Sequence, residues 1–324
     1  MKTILVTGGA GYIGSVLVRK LLEANYTVRV IDYLSKGGES LLGLLDNPNF
    51  EFIKGDIRNQ SDLERALKDV WGVCHLAAIV GDPACAKEPE KARSINLDAS
   101  IQLYNLCNAH GVKKFIFSST CSNYGKMSDP EGLVNEDSEL APVSLYAELK
   151  VSFEKYLLEQ SRENQCKPTV LRFATVYGLS PRMRFDLTVN EFTKELTLGR
   201  ELIVYGEQFW RPYCHVQDIT NAILTVLESQ NEIIDFNVFN VGDTEENYTK
   251  KMIVDCILKE IPNGKIKYVK KDEDPRDYRV DFSKIANELG FRTSRRVPDG
   301  IREVKSILEN GFIINPDDDK YRNC

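Results

Sequence analysis

Residues 7–14 read TGGAGYIG and follow directly on the apolar, β-rich run TILVT. Gly8, Gly11 and Gly14 therefore form a GxxGxxG array between a predicted strand and the start of a predicted helix. Glycines at this spacing permit a tight turn, a close backbone approach to a pyrophosphate and packing of helix on strand. Because the helix N-terminus faces the phosphates, we predict a dinucleotide site that also includes Tyr12 and Ile13.

The acidic residue that ends the second predicted strand favours one kind of dinucleotide. Asp32 closes the run TVRVID, 18 residues after Gly14. A carboxylate there accepts hydrogen bonds from both adenosine ribose hydroxyls and repels a 2′-phosphate. The sequence predicts NAD rather than NADP, although the nearby Arg29 and Lys36 would soften the repulsion.

Asp56 and Ile57 lie in the segment KGDIRN, after the third predicted strand. We predict that they contact the adenine end of the dinucleotide. A helix N-cap is the alternative role for Asp56.

The first half of the chain alternates short β-rich runs with longer amphipathic ones. This alternation is typical of a parallel sheet with helices on both faces. We predict an α/β fold, a Rossmann-type doubly wound parallel sheet followed by a smaller C-terminal mixed α/β lobe. The predicted strands are TILVT, TVRVID, FEFIKG, GVCHLAA, KKFIFSS and PTVLRF.

The alternation ends near residue 170, and irregular loops rich in glycine, proline and arginine follow. We expect an NAD-binding domain over residues 1–172, to which a segment around 212–230 returns. A nucleotide-sugar-binding lobe is expected over residues 173–324. The last ten residues are polar, which predicts a loosely held tail.

Tyr146 and Lys150 form a YxxxK pair in SLYAELK, at the start of a helix predicted over residues 147–163. A spacing of four places both side chains on one helix face. A cation about 4 Å from a phenol contributes about 4 kcal/mol at an effective dielectric constant of about 20. Lys150, with help from the positive nicotinamide ring, is therefore expected to bring the pKa of Tyr146 from ~10 towards neutrality, so Tyr146 is predicted to act as a general base.

Thr120 ends the predicted strand KKFIFSST, 26 residues before Tyr146. Ligands of open α/β sheets bind outside the carboxyl ends of the strands. We expect the Thr120 hydroxyl to share a hydrogen bond with the reacting oxygen, which makes Thr120, Tyr146 and Lys150 the predicted catalytic residues.

Seven motifs occur in the same order as in a known family. The chain resembles the extended short-chain dehydrogenase/reductases, and within them the NAD-dependent epimerase/dehydratase family that includes UDP-galactose 4-epimerase. The motifs, over residues 7–218, are TGGAGYIG, GDIRN, HLAA, SSTCSNYG, YAELK, RFATVYG and RPYCHVQD.

The resemblance implies a Thr120–Tyr146–Lys150 triad in which Lys150 also holds the nicotinamide ribose. It further implies that five residues lie near the cofactor, namely Leu76, Ala77, Ala78, Asn96 and Phe173. The alternative for Asn96 is a position on a helix surface, and the alternative for Phe173 is a core aromatic.

The second half offers arginines that suit a nucleotide diphosphate, because a guanidinium meets phosphate through two parallel hydrogen bonds. They are Arg182, Arg184, Arg211 and Arg276. The alternative for each is ordinary surface charge. By resemblance, Arg211 and Arg276 form the diphosphate clamp and Asn190 contacts the nucleotide. Thr175, in RFATVYG, stands where the family usually has asparagine in the substrate site.

The residues after Thr120 bear on the reaction. Family members that dehydrate sugars usually carry an Asp-Glu pair there, because elimination needs a further acid and base. Here the pair is Cys121-Ser122. We expect a nucleotide-sugar 4-epimerase, with a C4 dehydrogenase or 4-keto-sugar reductase as the alternative and a 4,6-dehydratase disfavoured. A catalytically silent NAD sensor is the alternative from another class.

Two segments carry a narrower resemblance, to enzymes that oxidise C4 of GDP-linked heptoses. These segments are ATVYGLSPRMRFDLTVNEFT and EDPRDYRV. A GDP-, CDP- or dTDP-linked sugar therefore also fits as the substrate.

Composition excludes several other partners. The net charge is −6 without a dense Lys/Arg run, which argues against nucleic acid or an anionic membrane. The eight cysteines lack a CxxC pair and the three histidines are dispersed, so we expect reduced thiols and no metal. The opening MKTILVTGG has an apolar stretch of about five residues and resembles neither a signal peptide nor a membrane span, which predicts a cytoplasmic location. By family resemblance we expect a homodimer formed through helices around residues 87–109 and 147–163.

Overall fold

The computed structural model describes residues 1–127, 132–274 and 276–323. Its strands, in chain order, are β1 Thr3–Thr7, β2 Thr27–Asp32, β3 Phe50–Lys54, β4 Gly72–His75, β5 Lys114–Thr120, β6 Lys167–Phe173, β7 Thr175–Tyr177, β8 Glu201–Tyr205, β9 Trp210–His215, β10 Asn237–Val241, β11 Asn247–Thr249 and β12 Lys265–Val269.

The α-helices are connected to these strands by short turns and loops. In chain order they are α1 Tyr12–Glu23, α2 Gln60–Leu67, α3 Asp82–Lys87, α4 Pro89–Arg93, α5 Ala99–Ala109, α6 Leu145–Leu158, α7 Thr188–Thr197, α8 Val216–Glu228, α9 Asn231–Ile234, α10 Lys250–Glu260, α11 Ser283–Leu289 and α12 Val297–Glu309. None of the described helices combines the length and the hydropathy needed to cross a bilayer.

Within the described residues, seven strands form one parallel sheet in the order β10-β6-β5-β4-β1-β2-β3. The chain runs outward from β1 through β2 to β3, then returns to β4 on the other side of β1. This reversal of strand order creates a crevice between the carboxyl ends of β1 and β4, which is where open α/β sheets bind ligands. The predicted doubly wound Rossmann fold is confirmed.

Apolar burial on both faces of the sheet explains its stability. Ile4, Val6, Val28 and Val30 belong to one core cluster, whereas Leu5 belongs to a second cluster on the opposite face. Alternate residues of β1 therefore point to opposite layers of helices, as the period of a strand requires.

The C-terminal half contributes to this sheet as well as to the smaller lobe. Strand β10 pairs with β6, with Phe239 opposite Leu171, and α8 packs against α1. The division at residue 172, with a return around 212–230, stays a prediction, and the sheet also takes in residues 237–241.

The smaller lobe is mixed α/β, as expected. It contains the three-stranded sheet β11-β9-β7 and the two-stranded sheet β12-β8. Helices α7, α10 and α12 pack on one another around a core that includes Phe192, Ile253 and Ile301. This lobe presents the segment between β7 and α7 to the crevice of the large sheet, where Gly178 accepts a hydrogen bond from the Tyr12 hydroxyl at 2.5 Å.

The prediction of a loose C-terminal tail is wrong. Tyr321 packs edge-on against Phe185 with ring centroids 5.6 Å apart, and its carbonyl accepts from the Phe185 amide at 2.9 Å. Lys36 also donates to the carbonyl of Asp319 at 3.2 Å. Polar side chains contribute as well, since Asp317 pairs with Lys194 at 2.8 Å and with Arg200 at 2.5 Å. The composition of the tail gave no sign of this docking, because its partners lie far away in the sequence.

A buried ion pair ties helix α6 to the centre of the sheet. Arg172 on β6 binds Glu154 on α6 at 2.8 Å, with side chains only 5% and 2% exposed. Asn123 donates to the same carboxylate at 2.7 Å, and the hydroxyl of Ser119 on β5 donates to it as well. The carboxylate therefore accepts from several donors on different elements, and these contacts fix α6 against β5 and β6.

Removing the Glu154 carboxylate is expected to destabilise the fold strongly. Glu154→Ala leaves the Arg172 guanidinium buried without its counter-ion, which costs about 3–5 kcal/mol. The exposed Lys251–Asp255 pair, at 2.9 Å, supplies the control, because Asp255→Ala should change stability little. Urea unfolding of both variants measures the difference, and equal effects would contradict the structural role of Glu154.

Candidate functional site

The glycine array forms a cradle at the carboxyl end of β1. Gly8 has a φ of +73°, and a Cβ there would lie 2.8 Å from the backbone nitrogen of Ala77, in the loop after β4. A Cβ on Gly14 would lie 2.2 Å from the Gly8 carbonyl oxygen. No side chain fits at either position, so the backbone of both loops lines the crevice directly.

Helix α1 begins at this cradle, with Gly11 as its N-cap and no acidic residue in its first turn. Tyr12 and Val16 are buried on its inner face, whereas Ile13 is partly buried between two core clusters. The helix end therefore carries unpaired amide donors and partial positive charge towards the crevice, which suits a pyrophosphate.

Asp32 binds backbone amides at the edge of the glycine cradle. Its two carboxylate oxygens accept from the amide of Ala10 at 3.0 Å and from the amide of Leu34 at 2.8 Å. Burial raises the pKa of this carboxyl, while these amides and the charge of Arg182 oppose the shift. Arg29 instead binds Glu51 at 2.6 Å. It therefore does not offset the negative charge of Asp32, an effect that would have softened the repulsion of a 2′-phosphate.

Asp56 and Ile57 lie where KGDIRN leaves β3. Ile57 is buried, and the Asp56 carboxylate binds Arg58 at 2.5 Å. Arg58 lowers the pKa of that carboxyl against the effect of burial. The N-cap of α2 is Asn59, so the alternative role for Asp56 is wrong, and the adenine contact stays a prediction.

The HLAA segment and Asn96 form the opposite wall of the crevice. The Thr7 hydroxyl accepts from the amides of Leu76 and Ala77, both at 3.2 Å. Asn96 is 1% exposed, and its amide group bonds both the N–H and the C=O of Ile79 at 2.8 Å. Asn96 is therefore not a surface residue; it anchors the loop that continues from Ala78.

The structure brings Tyr146 and Lys150 together at the carboxyl end of β5. They lie in the first two turns of α6, which begins near Tyr146 as predicted and ends at Leu158, earlier than residue 163. The Lys150 ammonium is 5.8 Å from the Tyr146 ring centroid and donates to the Ser118 carbonyl at 2.7 Å. Ser118 and Thr120 are two residues apart on β5. The Lys150 ammonium therefore contacts the same end of the strand that carries Thr120.

Burial dominates the titration of both side chains. Lys150 is 4% exposed, and burial lowers its pKa to about 8, although the nearby Glu154 carboxylate favours the charged form. Burial also raises the pKa of Tyr146 above its ordinary value. Burial by itself therefore disfavours the phenolate, and the expectation that Lys150 together with the positive nicotinamide ring brings this phenol near neutrality stays a prediction. The positive charge of Arg184 opposes that rise.

Thr120, Phe173 and Thr175 lie on neighbouring strands at this edge. The Thr120 side chain caps the short helix Cys121–Tyr124, accepting from the Ser122 amide at 3.1 Å. Phe173 pairs with Thr120 between β5 and β6. Its side chain is a buried core aromatic, which is the alternative role that the sequence left open. Thr175 starts β7, beside Tyr213 of β9. Phe173 and Thr175 therefore lie on strands close to Thr120, and the contacts of all three residues to cofactor or substrate stay predictions.

The predicted anion-binding arginines are all held by acidic or carbonyl partners. Arg184 binds Asp186 through two hydrogen bonds of 2.9 Å. Arg182 donates to the Arg322 carbonyl at 3.2 Å, and its pKa is lowered to about 10 by burial and by Arg184, with Asp32 opposing. Arg182 thus lies near the ribose end of the crevice, and its predicted substrate contact stays a prediction.

Arg211 and Arg276 meet at a carboxylate that sequence reasoning missed. Asp274, 3% exposed, lies 3.1 Å from the Arg211 guanidinium and 3.6 Å from that of Arg276. Burial opposes ionisation, but the charge of Arg211 lowers the pKa of Asp274. The only sequence signal was the alternation of charges in EDPRDYRV. Asp274 fixes the spacing of the two arginines.

Asn190 has a structural position. It is fully buried, accepts from the Gly178 amide at 3.0 Å and donates to the Arg184 carbonyl at 2.9 Å. Its amide also donates to the Tyr12 hydroxyl at 3.2 Å. Asn190 therefore joins the loop that carries Arg184 to the first turn of α1, and the predicted nucleotide contact stays a prediction.

Comparisons with known proteins agree with the fold. The sequence profile of the NAD-dependent epimerase/dehydratase family matches residues 4–242. The chain belongs to this family. It is 29% identical to a putative UDP-glucose 4-epimerase of Methanocaldococcus jannaschii over 313 residues, which cover 95% of this chain and 98% of that one.

Two solved structures superpose on nearly the whole chain. A UDP-glucose 4-epimerase of Thermotoga maritima with UDP-glucose has a TM-score of 0.85 and 31% identity, covering 96% of this chain and 100% of that one. DesIV, a dTDP-glucose 4,6-dehydratase of Streptomyces venezuelae with NAD bound, has a TM-score of 0.85 and 27% identity, covering 96% and 98%. The chain is an NAD-dependent enzyme of the kind typified by nucleotide-sugar 4-epimerases.

The glycine cradle predicts a sharp effect of one methyl group. Gly14→Ala places a Cβ on the Gly8 carbonyl, so the loop must move, and the affinity for NAD should fall at least tenfold, or about 1.4 kcal/mol. Gly43→Ala is the matched control, because a Cβ there meets nothing within 4 Å. Calorimetric titration with NAD measures both, and unchanged affinity in Gly14→Ala would refute the cradle.

The burial of Lys150 predicts its titration. In protein freed of nucleotide, the Lys150 ammonium should lose its proton near pH 8, observable by NMR of ¹³C-methylated lysines, with Lys150→Met identifying the signal. An unfolded lysine keeps its proton to about pH 10.4. The unfolded chain therefore binds more protons between these values, so this group's contribution to stability rises with pH across that window. A midpoint above pH 10 would contradict the burial argument.

Proposed function

We propose that the chain interconverts nucleotide-diphosphate sugars epimeric at C4, by hydride transfer between NAD and that carbon. The observation that carries the proposal is the Tyr146–Lys150 pair, held by β5 next to Thr120 and across the crevice from the glycine cradle. A phenol, an ammonium and a hydroxyl at one edge of the sheet suit proton exchange with a secondary alcohol.

The residues present fit NAD. The cradle admits a pyrophosphate against bare backbone, and the carboxylate of Asp32 suits ribose hydroxyls while repelling a 2′-phosphate. Lys150, which donates to the Ser118 carbonyl, is proposed to hold the nicotinamide ribose. NAD supplies the hydride acceptor and, in its oxidised form, a positive charge.

Tyr146 is the proposed proton carrier for the C4 hydroxyl. Burial keeps the phenol protonated, so the charges around it decide when it transfers a proton. Arg184 favours the phenolate electrostatically. Glu154 favours the charged form of Lys150, whose ammonium lies 5.8 Å from the Tyr146 ring centroid. The Thr120 hydroxyl is proposed to hydrogen-bond the same sugar oxygen and orient it towards Tyr146.

Arg211 and Arg276 are proposed to bind the diphosphate. Each guanidinium has five N–H donors, so contact with Asp274 leaves further donors for phosphate oxygens. Because Asp274 is buried, it presets the spacing between the two guanidinium groups before the substrate binds.

The side chains after Thr120 support epimerisation over dehydration. Cys121 is 1% exposed and donates to the Arg172 carbonyl, and burial raises the pKa of its thiol well above the ordinary value. A neutral, buried thiol supplies neither the acid nor the base that elimination of water requires.

Replacing Tyr146 tests whether the chain is an enzyme or a sensor. Tyr146→Phe should lower kcat by roughly 10²–10⁴ and leave NAD affinity unchanged, because the ring still packs beside Cys85 and Leu149. Activity on UDP-, GDP-, CDP- and dTDP-sugars is followed by mass spectrometry and NMR. Full activity in this variant would refute the proposed proton transfer.

The fate of the nicotinamide separates epimerisation from the alternative reactions. An epimerase returns its hydride in each turnover, so the absorbance of reduced nicotinamide should not accumulate while the C4 epimer does. A C4 dehydrogenase or 4-keto-sugar reductase would change that absorbance in proportion to product. If reduced nicotinamide accumulates in stoichiometric amount with a 4-keto product, the reaction is C4 oxidation and not epimerisation.

We also propose a homodimer through α5 and α6. The two helices pack on one another, and the Tyr156 hydroxyl on α6 donates to Asn105 on α5 at 2.6 Å, so they present one joint surface. Multi-angle light scattering should give twice the chain mass of 36.8 kDa, and a monomer at micromolar concentration would refute it.

A further inference from the structure

The loop after β4 leads to a carboxylate that the proposed chemistry does not use. Asp82 is the first residue of α3, and its side chain is 26% exposed. One oxygen lies 2.7 Å from the Arg276 guanidinium. The other accepts from the Ser144 hydroxyl at 2.6 Å, and Ser144 is the N-cap of α6, two residues before Tyr146.

Asp82 also lies close to the proposed reacting group. Helix α3 packs on α6, and Cys85 of α3 shares an apolar cluster with Tyr146. Burial raises the pKa of Tyr146, and the negative charge of Asp82 adds to that rise. The carboxylate is therefore within electrostatic range of the phenol while it contacts the guanidinium of Arg276.

These two neighbours define where a substrate would pass. In the proposed function, Tyr146 meets C4 of the sugar and Arg276 meets the diphosphate on C1. A group that touches Arg276 and lies beside Tyr146 borders the space between the two ends of the sugar ring. We infer that Asp82 is a specificity-determining residue that accepts hydrogen bonds from the sugar's hydroxyl groups and excludes sugars bearing a C6 carboxylate.

The chemistry of the surroundings supports a neutral sugar. An ionised carboxylate only accepts hydrogen bonds, so its natural partners on a sugar are hydroxyl donors. Arg276 is already shared by Asp82 and Asp274 and, in the proposed function, by the diphosphate. A carboxylate on the sugar would therefore meet like charge in a partly desolvated cleft, which disfavours its binding.

The inference rests on the proposed function and is tested by binding as well as turnover. NAD-loaded wild type and Asp82→Asn are titrated with two matched pairs, UDP-glucose with UDP-glucuronic acid and GDP-mannose with GDP-mannuronic acid. Asparagine keeps the size of Asp82 and its contact to Ser144 but removes the charge. Asp255→Asn, in an exposed ion pair, is the control for a lost surface charge.

We expect wild type to bind the neutral member of the accepted pair more tightly. In Asp82→Asn this preference should fall on the order of tenfold or more, because the neutral sugar loses a charge-assisted hydrogen bond and the acid no longer meets repulsion. NAD affinity and the Asp255→Asn ratio should not change.

Equal weakening of both members, or an unchanged ratio, would overturn the assignment and leave Asp82 a structural contact of Ser144. If Asp82→Asn loses NAD binding through misfolding, Asp82→Ser is judged by the same ratio. Tight binding of a neutral nucleotide sugar by wild type without turnover would instead count against the proposed function, so the two failures are distinguishable.

Discussion

The contact between the Lys150 ammonium and the Ser118 carbonyl is the interaction on which the rest of the site depends. A buried ammonium is costly unless it is paired or hydrogen-bonded. Here the Glu154 carboxylate favours its charge, and the same carboxylate binds Arg172 on the next strand. One helix is thereby fixed to two strands by charge, and Tyr146 is fixed with it, one helical turn before Lys150.

The crevice has a different kind of support on its cofactor side. Backbone meets backbone between Gly8 and the loop after β4, and side chains such as Thr7, Asp32 and Asn96 hold the loops by their amides. Rigidity there comes from hydrogen bonds to loop backbone rather than from ion pairs. A long dinucleotide binds along exposed peptide groups. The loops that present these groups must be rigid, and here hydrogen bonds from side chains behind the loops hold their backbone amides.

The substrate side is more acidic than an anion-binding site would suggest. Asp82, Asp186 and Asp274 each bind one or more of the arginines that the sequence predicted to bind the substrate. The carboxylates orient the guanidinium groups and reduce the net positive charge. In the proposed function this balance favours a ligand whose anionic part is confined to the diphosphate. This charge balance connects the mechanism to the choice of sugar.

The sequence by itself determined the parallel sheet, the glycine cradle, Asp32 and the YxxxK helix, because short-range spacing and strand-helix alternation specify them. It did not determine the pKa of Tyr146, which depends on burial by distant segments, nor the docking of the tail on Phe185. Only the tertiary structure brought Arg276 to Asp82, 194 residues earlier in the chain. Contacts of that kind depend on how two lobes pack, and no local pattern encodes them.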